Sequence, residues 1–186
     1  MILVLAAPYS GARTFHRLLL AAGYNVGYNR KSVDGAVRSC HYRESTCLCF
    51  DGEKYTHVYH LVSNPLNCIA ALAHDENMII KSHPAVVRYN LAMHYWLSVS
   101  RHIDKFSRQI IRIEDLRKTW PQEIYRPKKF VRFRHLKKAL STRQVDKFGT
   151  TRFELLQKAE EYGYSIPART AIRSSDRTIG GLQPVL

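Results

Sequence analysis

The stretch from Met1 to Leu20 constrains the fold more than any other. An apolar run from Ile2 to Ala7 stops at Pro8 and crosses Tyr9-Ser10-Gly11; apolar residues then recur at helical spacing as Phe15, Leu18, Leu19 and Ala22. The pattern predicts a strand, a tight loop, and a helix from about Ser10 to Ala22 that stops at Gly23. Such a junction aims the unpaired N–H groups of the first helical turn, and the positive end of the helix dipole, at whatever sits in the loop. A phosphate or sulfate suits that place. Gly11 allows close backbone approach, Ser10 and Thr14 offer hydroxyls, and Arg13 brings a permanent charge on a planar fork of donors. Measured against the nucleoside-triphosphate pattern G-x-x-x-x-G-K-[ST], Ala7 and Ala12 replace both glycines and Arg13 replaces the lysine. An ordinary first strand and helix of an α/β domain fits this stretch as well.

The chain downstream repeats the alternation. Tyr24 to Asn29 suits a short strand, and the polar stretch Lys31 to Glu44 suits a short helix capped by Ser32. His57 to Val62 reads as a strand that meets an Asn64-Pro65 turn and a helix carrying Cys68, Ile69, Ala71 and Leu72. Met78 to Lys81 suits another short strand. Beyond Ser82-His83-Pro84 a long amphipathic helix is expected, its buried stripe formed by Val87, Leu91, Tyr95, Trp96 and Val99 to Ile103. Arg108 to Ile113 alternates as a strand and runs into Glu114-Asp115-Leu116. The basic stretch Arg117 to Thr150 is loop with some helix around Phe133 to Leu140. A last helix, Thr151 to Tyr162, closes at Gly163 with Phe153, Leu156 and Ala159 on one face. Strands separated by helices predict an α/β fold, a three-layer sandwich around a mostly parallel sheet, with ligands at the carboxyl ends of its strands. One domain over residues 1–164 is expected, followed by a tail, 165–186, that is flexible or laid on the surface.

Charge narrows the partners. Lys and Arg number 29 against 15 Asp and Glu, and residues 126–143 hold eight Lys or Arg with no carboxylate. That balance predicts an anionic partner through this stretch; no recognition motif accompanies it, so nucleic acid is not favoured. Cys40, Cys47, Cys49 and Cys68 fit no zinc spacing and are expected to be reduced and structural. Nor do His57, His60, His74 and His83 form a ligand cluster with them, and no metal is expected. The apolar opening is too short for a membrane span and lacks the features of a signal peptide, which predicts a cytoplasmic protein.

Pro8-Tyr9-Ser10-Gly11-Ala12-Arg13-Thr14, Ser63-Asn64-Pro65-Leu66-Asn67 and Arg112-Ile113-Glu114-Asp115-Leu116, with Glu161-Tyr162-Gly163-Tyr164 at the end, occur in a telling order. Together they resemble the sulfotransferases that use 3'-phosphoadenosine 5'-phosphosulfate, whose elements read P-[KR]-S-G-T-[TS], R-[DN]-P-x-[DN]-x-x-x-S and Y-E-D-L. The likeness spans residues 1–164 and is closest to small bacterial and phage-type members. Tyr9 stands where that family has a basic residue, Ser63 where it has Arg, and Ala71 where it has Ser.

The resemblance implies sulfuryl transfer to a hydroxyl or amine on a small molecule or glycan. It implies a donor site formed by Tyr9, Ser10, Gly11, Ala12, Arg13, Thr14 and Phe15, and a 3'-phosphate site at Ser63 and Ala71. Cations of the basic stretch, Arg143 or Lys128, Lys129, Arg132 and Arg134, are candidates to supplement that second site. For catalysis, Arg13 would stabilise peripheral oxygen charge, and His83 is the first candidate for the base because its side chain titrates near neutrality. His16 and Glu114 are weaker candidates. Two alternatives stand beside this one: a sulfotransferase-fold module that binds an anionic partner without turnover, and a kinase using ATP with Mg²⁺ through Arg13 and Thr14.

Overall fold

The computed structural model describes residues 1–40, 55–75, 83–128, 130 and 149–166. Five strands form one sheet: β1 (Ile2–Ala6), β2 (Val26–Tyr28), β3 (Gly35–Ser39), β4 (His57–Val62) and β5 (Gln109–Arg112). Their order is β2-β3-β1-β4-β5, and every pairing is parallel. The helices are α1 (Ala12–Ala21), α2 (Pro65–His74), α3 (Ala85–Asp104) and α4 (Gly149–Glu161), and one 3-10 turn, Ile113–Asp115, follows β5.

β1 lies at the centre, and all five of its residues are buried. Its side chains alternate between two cores, as the period of a strand requires. Ile2, Val4 and Ala6 face Phe15, Leu18 and Leu19 of α1, with Leu116 and Ile124 beside them. Leu3, Leu5 and Ala7 face Ile69 and Leu72 of α2, Met93, Trp96 and Leu97 of α3, and Leu155 and Ala159 of α4. The result is a three-layer sandwich: α1 and the strap 116–130 on one face, α2, α3 and α4 on the other. Right-handed crossovers explain the division, because the chain leaves β1 toward β2 but leaves β4 in the opposite direction toward β5. No helix among the described residues is long and apolar enough to cross a membrane.

Four expectations need correction or placing. No short helix follows Ser32: its N–H and carbonyl close a turn with Gly35, and Gly35–Ser39 is β3, inserted between β2 and β1. Only Ala36 and Val37 mark it as apolar, so its strand state comes from pairing on both edges. On α3 the first half of the expected stripe is wrong, since Val87 and Leu91 are exposed while Ala92, Met93, Trp96 and Leu97 are buried. On α4 the inward face is Thr151, Leu155, Ala159 and Tyr162, and Phe153 is exposed. Met78 to Lys81, Phe133 to Leu140, Lys129, Arg132, Arg134, Arg143, Cys47, Cys49 and the tail from 167 lie outside the described residues.

Candidate functional site

The loop after β1 and the turn after β4 lie side by side, because β1 and β4 are neighbours in register from Ile2 opposite His57 to Ala6 opposite Leu61. From this point α1 departs over one face of the sheet and α2 over the other. A crevice opens there at the carboxyl ends of the strands, the usual ligand position in a sheet of this kind.

Within the loop, Ser10 N–H closes a turn on the Ala7 carbonyl at 3.1 Å, and Gly11 caps α1 in the left-handed region, φ 82°. Tyr9 is left-handed too, φ 65°, a conformation that few residues with a Cβ adopt. Gly11 has a second reason to be glycine. A Cβ there would stand 2.0 Å from Ile113 Cδ1, in the 3-10 turn after β5.

The side chains around this loop are not all turned toward it. Ser10 is buried, with Oγ 3.7 Å from Cys68 Sγ on α2. Burial pushes the Cys68 thiol up to about 12, with the Ser10 contact acting the other way, so Cys68 is a packed thiol and not a nucleophile. Arg13 is exposed, its guanidinium 5.7 Å from the Tyr28 ring centroid. Thr14 is half-buried, and Ala12 and Phe15 belong to the α1 core, Phe15 stacked on Trp120 at 5.5 Å. Tyr9 Oη donates to Asp75 Oδ2 at 2.6 Å, which ties the loop to the end of α2. Partial burial, then the Asp75 carboxylate, pushes the Tyr9 hydroxyl up to about 12.

Across the crevice Asn64 caps α2, its side chain accepting from Leu66 N–H at 3.0 Å, and Pro65 begins the helix. Glu114 organises this side. Its Oε1 accepts from Ser63 Oγ and from Asn64 N–H, both at 2.8 Å, and its Oε2 accepts from Tyr164 Oη at 2.5 Å. Arg112 lies against the same Tyr164 ring at 4.4 Å, pairs with Asp115 at 3.0 Å and donates to the Gly163 carbonyl at 2.6 Å.

The structure thus brings Gly11, Ser63, Glu114 and Tyr164 to one end of the sheet. Ala71 is half-buried on α2 and contributes no polar group. His83 stands just ahead of Pro84, which caps α3, half-buried and joined to the loop by no hydrogen bond among the described residues. His16 bonds the Val26 carbonyl at 3.0 Å, a structural contact. The Tyr9 to Asp75 and Ser10 to Cys68 contacts had no sequence signal, whereas Tyr164 was visible in the Tyr162-Gly163-Tyr164 element. Cys40 and Cys68 are buried, and no group of His, Cys, Asp and Glu among the described residues is arranged to hold a metal ion.

Fold and site define a parallel α/β protein with a strand–loop–helix junction at its topological switch point. Compared with protein-family models, with curated proteins and with solved structures, the chain matches none.

Proposed function

We propose that the chain is a sulfotransferase that carries a sulfuryl group from 3'-phosphoadenosine 5'-phosphosulfate to a hydroxyl or amine acceptor. The observation behind this reading is the convergence of the matched stretches: Gly11 lies over Ile113, and Glu114 binds Ser63, Asn64 and Tyr164. The parallel order β1-β4-β5 brings these stretches to one end of the sheet, where a shared ligand would sit. The donor supplies an activated sulfuryl group. Toward it the chain would offer the first-turn N–H groups of α1, preorganised for charge on the peripheral oxygens, and the close approach that Gly11 allows.

The two ends of such a donor fit unequally. The sulfuryl end suits the loop, but Ser63 gives its proton to Glu114 and Ala71 has none to give, so these positions do not fit a 3'-phosphate. No step is assigned through that end. The same contacts favour a second reading, a binding module without turnover, because the hydroxyls of Ser10 and Ser63 are both engaged by the protein.

Calorimetry with 3'-phosphoadenosine 5'-phosphate, beside ATP with Mg²⁺, separates the readings. The transferase predicts micromolar binding of the first, weakened by Ser10→Ala and Arg13→Ala. It also predicts that Gly11→Ala weakens binding, because the left-handed backbone strains a residue with a Cβ and the end of the Ile113 side chain must shift to admit it. Thermal melting of Gly11→Ala tells a lost site from a lost fold; strain of about 1–2 kcal/mol is the expected cost. Binding of ATP with Mg²⁺ alone would indicate a kinase. Binding of neither leaves the module.

A further inference from the structure

The two helical layers differ in charge. Among the described residues, α1 and the strap 116–130 bring six cations, Arg13, Arg17, Arg117, Lys118, Arg126 and Lys128, against one carboxylate, Glu123. Helices α2, α3 and α4, across the sheet, carry four of each sign. All six cations are exposed, and none pairs with a described carboxylate. Glu123 is itself occupied by the Tyr59 hydroxyl at 3.3 Å and the Gln109 amide at 3.4 Å. On the other layer Arg101 meets Glu154, and Lys158 meets Asp104 and Glu161. A face that only needed solubility would have no reason to exclude acids from one layer while balancing them on the other. Cations held together in this way repel one another, and a bound polyanion relieves that cost.

Position adds to charge. The strap leaves the sheet directly after Ile113, the residue beneath Gly11, and Trp120 stacks it against Phe15 of α1. It therefore runs from the mouth of the loop along α1. Arg126 donates to the Arg117 carbonyl and lies over the Phe130 ring at 5.3 Å, which fixes its fork beside Arg117. Tyr125, 80% exposed, offers a flat ring on the same excursion.

We propose that this face docks an anionic polysaccharide as the acceptor, an inference that rests on the sulfuryl-transfer reading of the loop. A sugar chain presents a hydroxyl or amine at every residue, as a transfer site needs, and its carboxylates or sulfates match guanidinium forks. The phosphodiester backbone of DNA offers the charge without a hydroxyl along its length.

Fluorescence anisotropy with a labelled heparin oligosaccharide tests this, beside a neutral dextran oligosaccharide and single-stranded DNA of equal charge, over a series of salt concentrations. The heparin fragment binds, the dextran does not, and log Kd rises linearly with log salt as counterions are released. Combined Arg117→Ala, Lys118→Ala and Arg126→Ala weakens heparin binding at least about tenfold, whereas Arg101→Ala, Lys105→Ala and Arg108→Ala together change it less than about twofold. Both sets remove three exposed charges, the second from the stretch that leads from α3 into β5, so equal losses would reduce the effect to net charge and overturn the proposal. Tighter binding of DNA than of heparin would also overturn it. Calorimetry with 3'-phosphoadenosine 5'-phosphate separates the two ideas. Nucleotide bound without heparin sinks the docking face and spares the transfer reading. Heparin bound without nucleotide overturns the acceptor assignment.

Discussion

Tyr162 and Tyr164 are two residues apart, yet they give their hydroxyls to different carboxylates: Tyr162 to Asp104 at 2.8 Å, Tyr164 to Glu114 at 2.5 Å. Gly163 between them, φ 75°, turns the chain after α4 so that one ring enters the core and the other reaches the end of the sheet. The two hubs differ in charge. Asp104 sits among cationic or protonatable partners, with His60 Nδ1 at 2.7 Å and Lys158 Nζ at 2.5 Å. Among the described residues Glu114 accepts from neutral donors, Ser63, Asn64 and Tyr164. Burial alone would raise the Asp104 carboxyl, but the hydrogen bonds from His60, Lys158 and Tyr162 outweigh it and hold the group down at about 2. Asp104 therefore belongs to a charge-balanced support under β4, α3 and α4. Glu114 places the backbone and side chains that line the crevice. A stability hub and a positioning hub share one short C-terminal element.

The largest expected effect breaks the first hub. Asp104→Ala leaves His60 and Tyr162 without this acceptor and Lys158 with Glu161 in its place, and urea unfolding should show a loss of about 2–3 kcal/mol. That is below the cost for a fully buried pair because 24% of the Asp104 side chain is exposed. Nucleotide affinity, measured above the folding threshold, stays within a few-fold.

Removing single hydroxyls sharpens the contrast. Tyr162→Phe and Tyr164→Phe each cost about 1 kcal/mol of stability. Only Tyr164→Phe should loosen the hold of Glu114 on Ser63 and Asn64, so only it should change 3'-phosphoadenosine 5'-phosphate binding several-fold in calorimetry. Equal binding changes in the two variants would erase the distinction between the hubs.

The smallest effect is in pH. His60 is fully buried, and burial lowers its basicity below the ordinary value of 6.5, with Asp104 opposing and Lys158 adding to the shift. The folded state then binds fewer protons than the unfolded one as pH drops through 6.5, so the melting temperature falls from that point downward. Asp104, depressed from 3.8, adds a further loss as pH falls through 3.8 toward 2. A His60→Gln variant should flatten the upper part of this curve and leave the lower part in place.

Much of the backbone was legible because its signals are local. The apolar run of β1, the Asn64-Pro65 turn ahead of α2, and the stops at Gly23 and Gly163 each depend on neighbours a few residues away. The strand–loop–helix junction was legible for the same reason. β3 was not, since two buried residues within Gly35–Ser39 become a strand only when β1 and β2 flank them. The inward faces of α3 and α4 were misjudged at Val87, Leu91 and Phe153, because which side of a helix is buried depends on what packs against it. In the site, residue types in the loop raised the expectation of an anion cradle, but nothing local revealed that Ser10 faces Cys68, Tyr9 reaches Asp75 or Glu114 gathers Ser63, Asn64 and Tyr164.

By itself the sequence determined the alternation of strands and helices, the glycine at the head of α1 and the excess of positive charge. Tertiary structure alone decided where those charges stand, which hydroxyls the protein consumes, and which carboxylate each tyrosine meets. Caps, turns and periodicity act over a few bonds, whereas a hydrogen bond between residues 114 and 164 exists only once a folded sheet has brought them within reach.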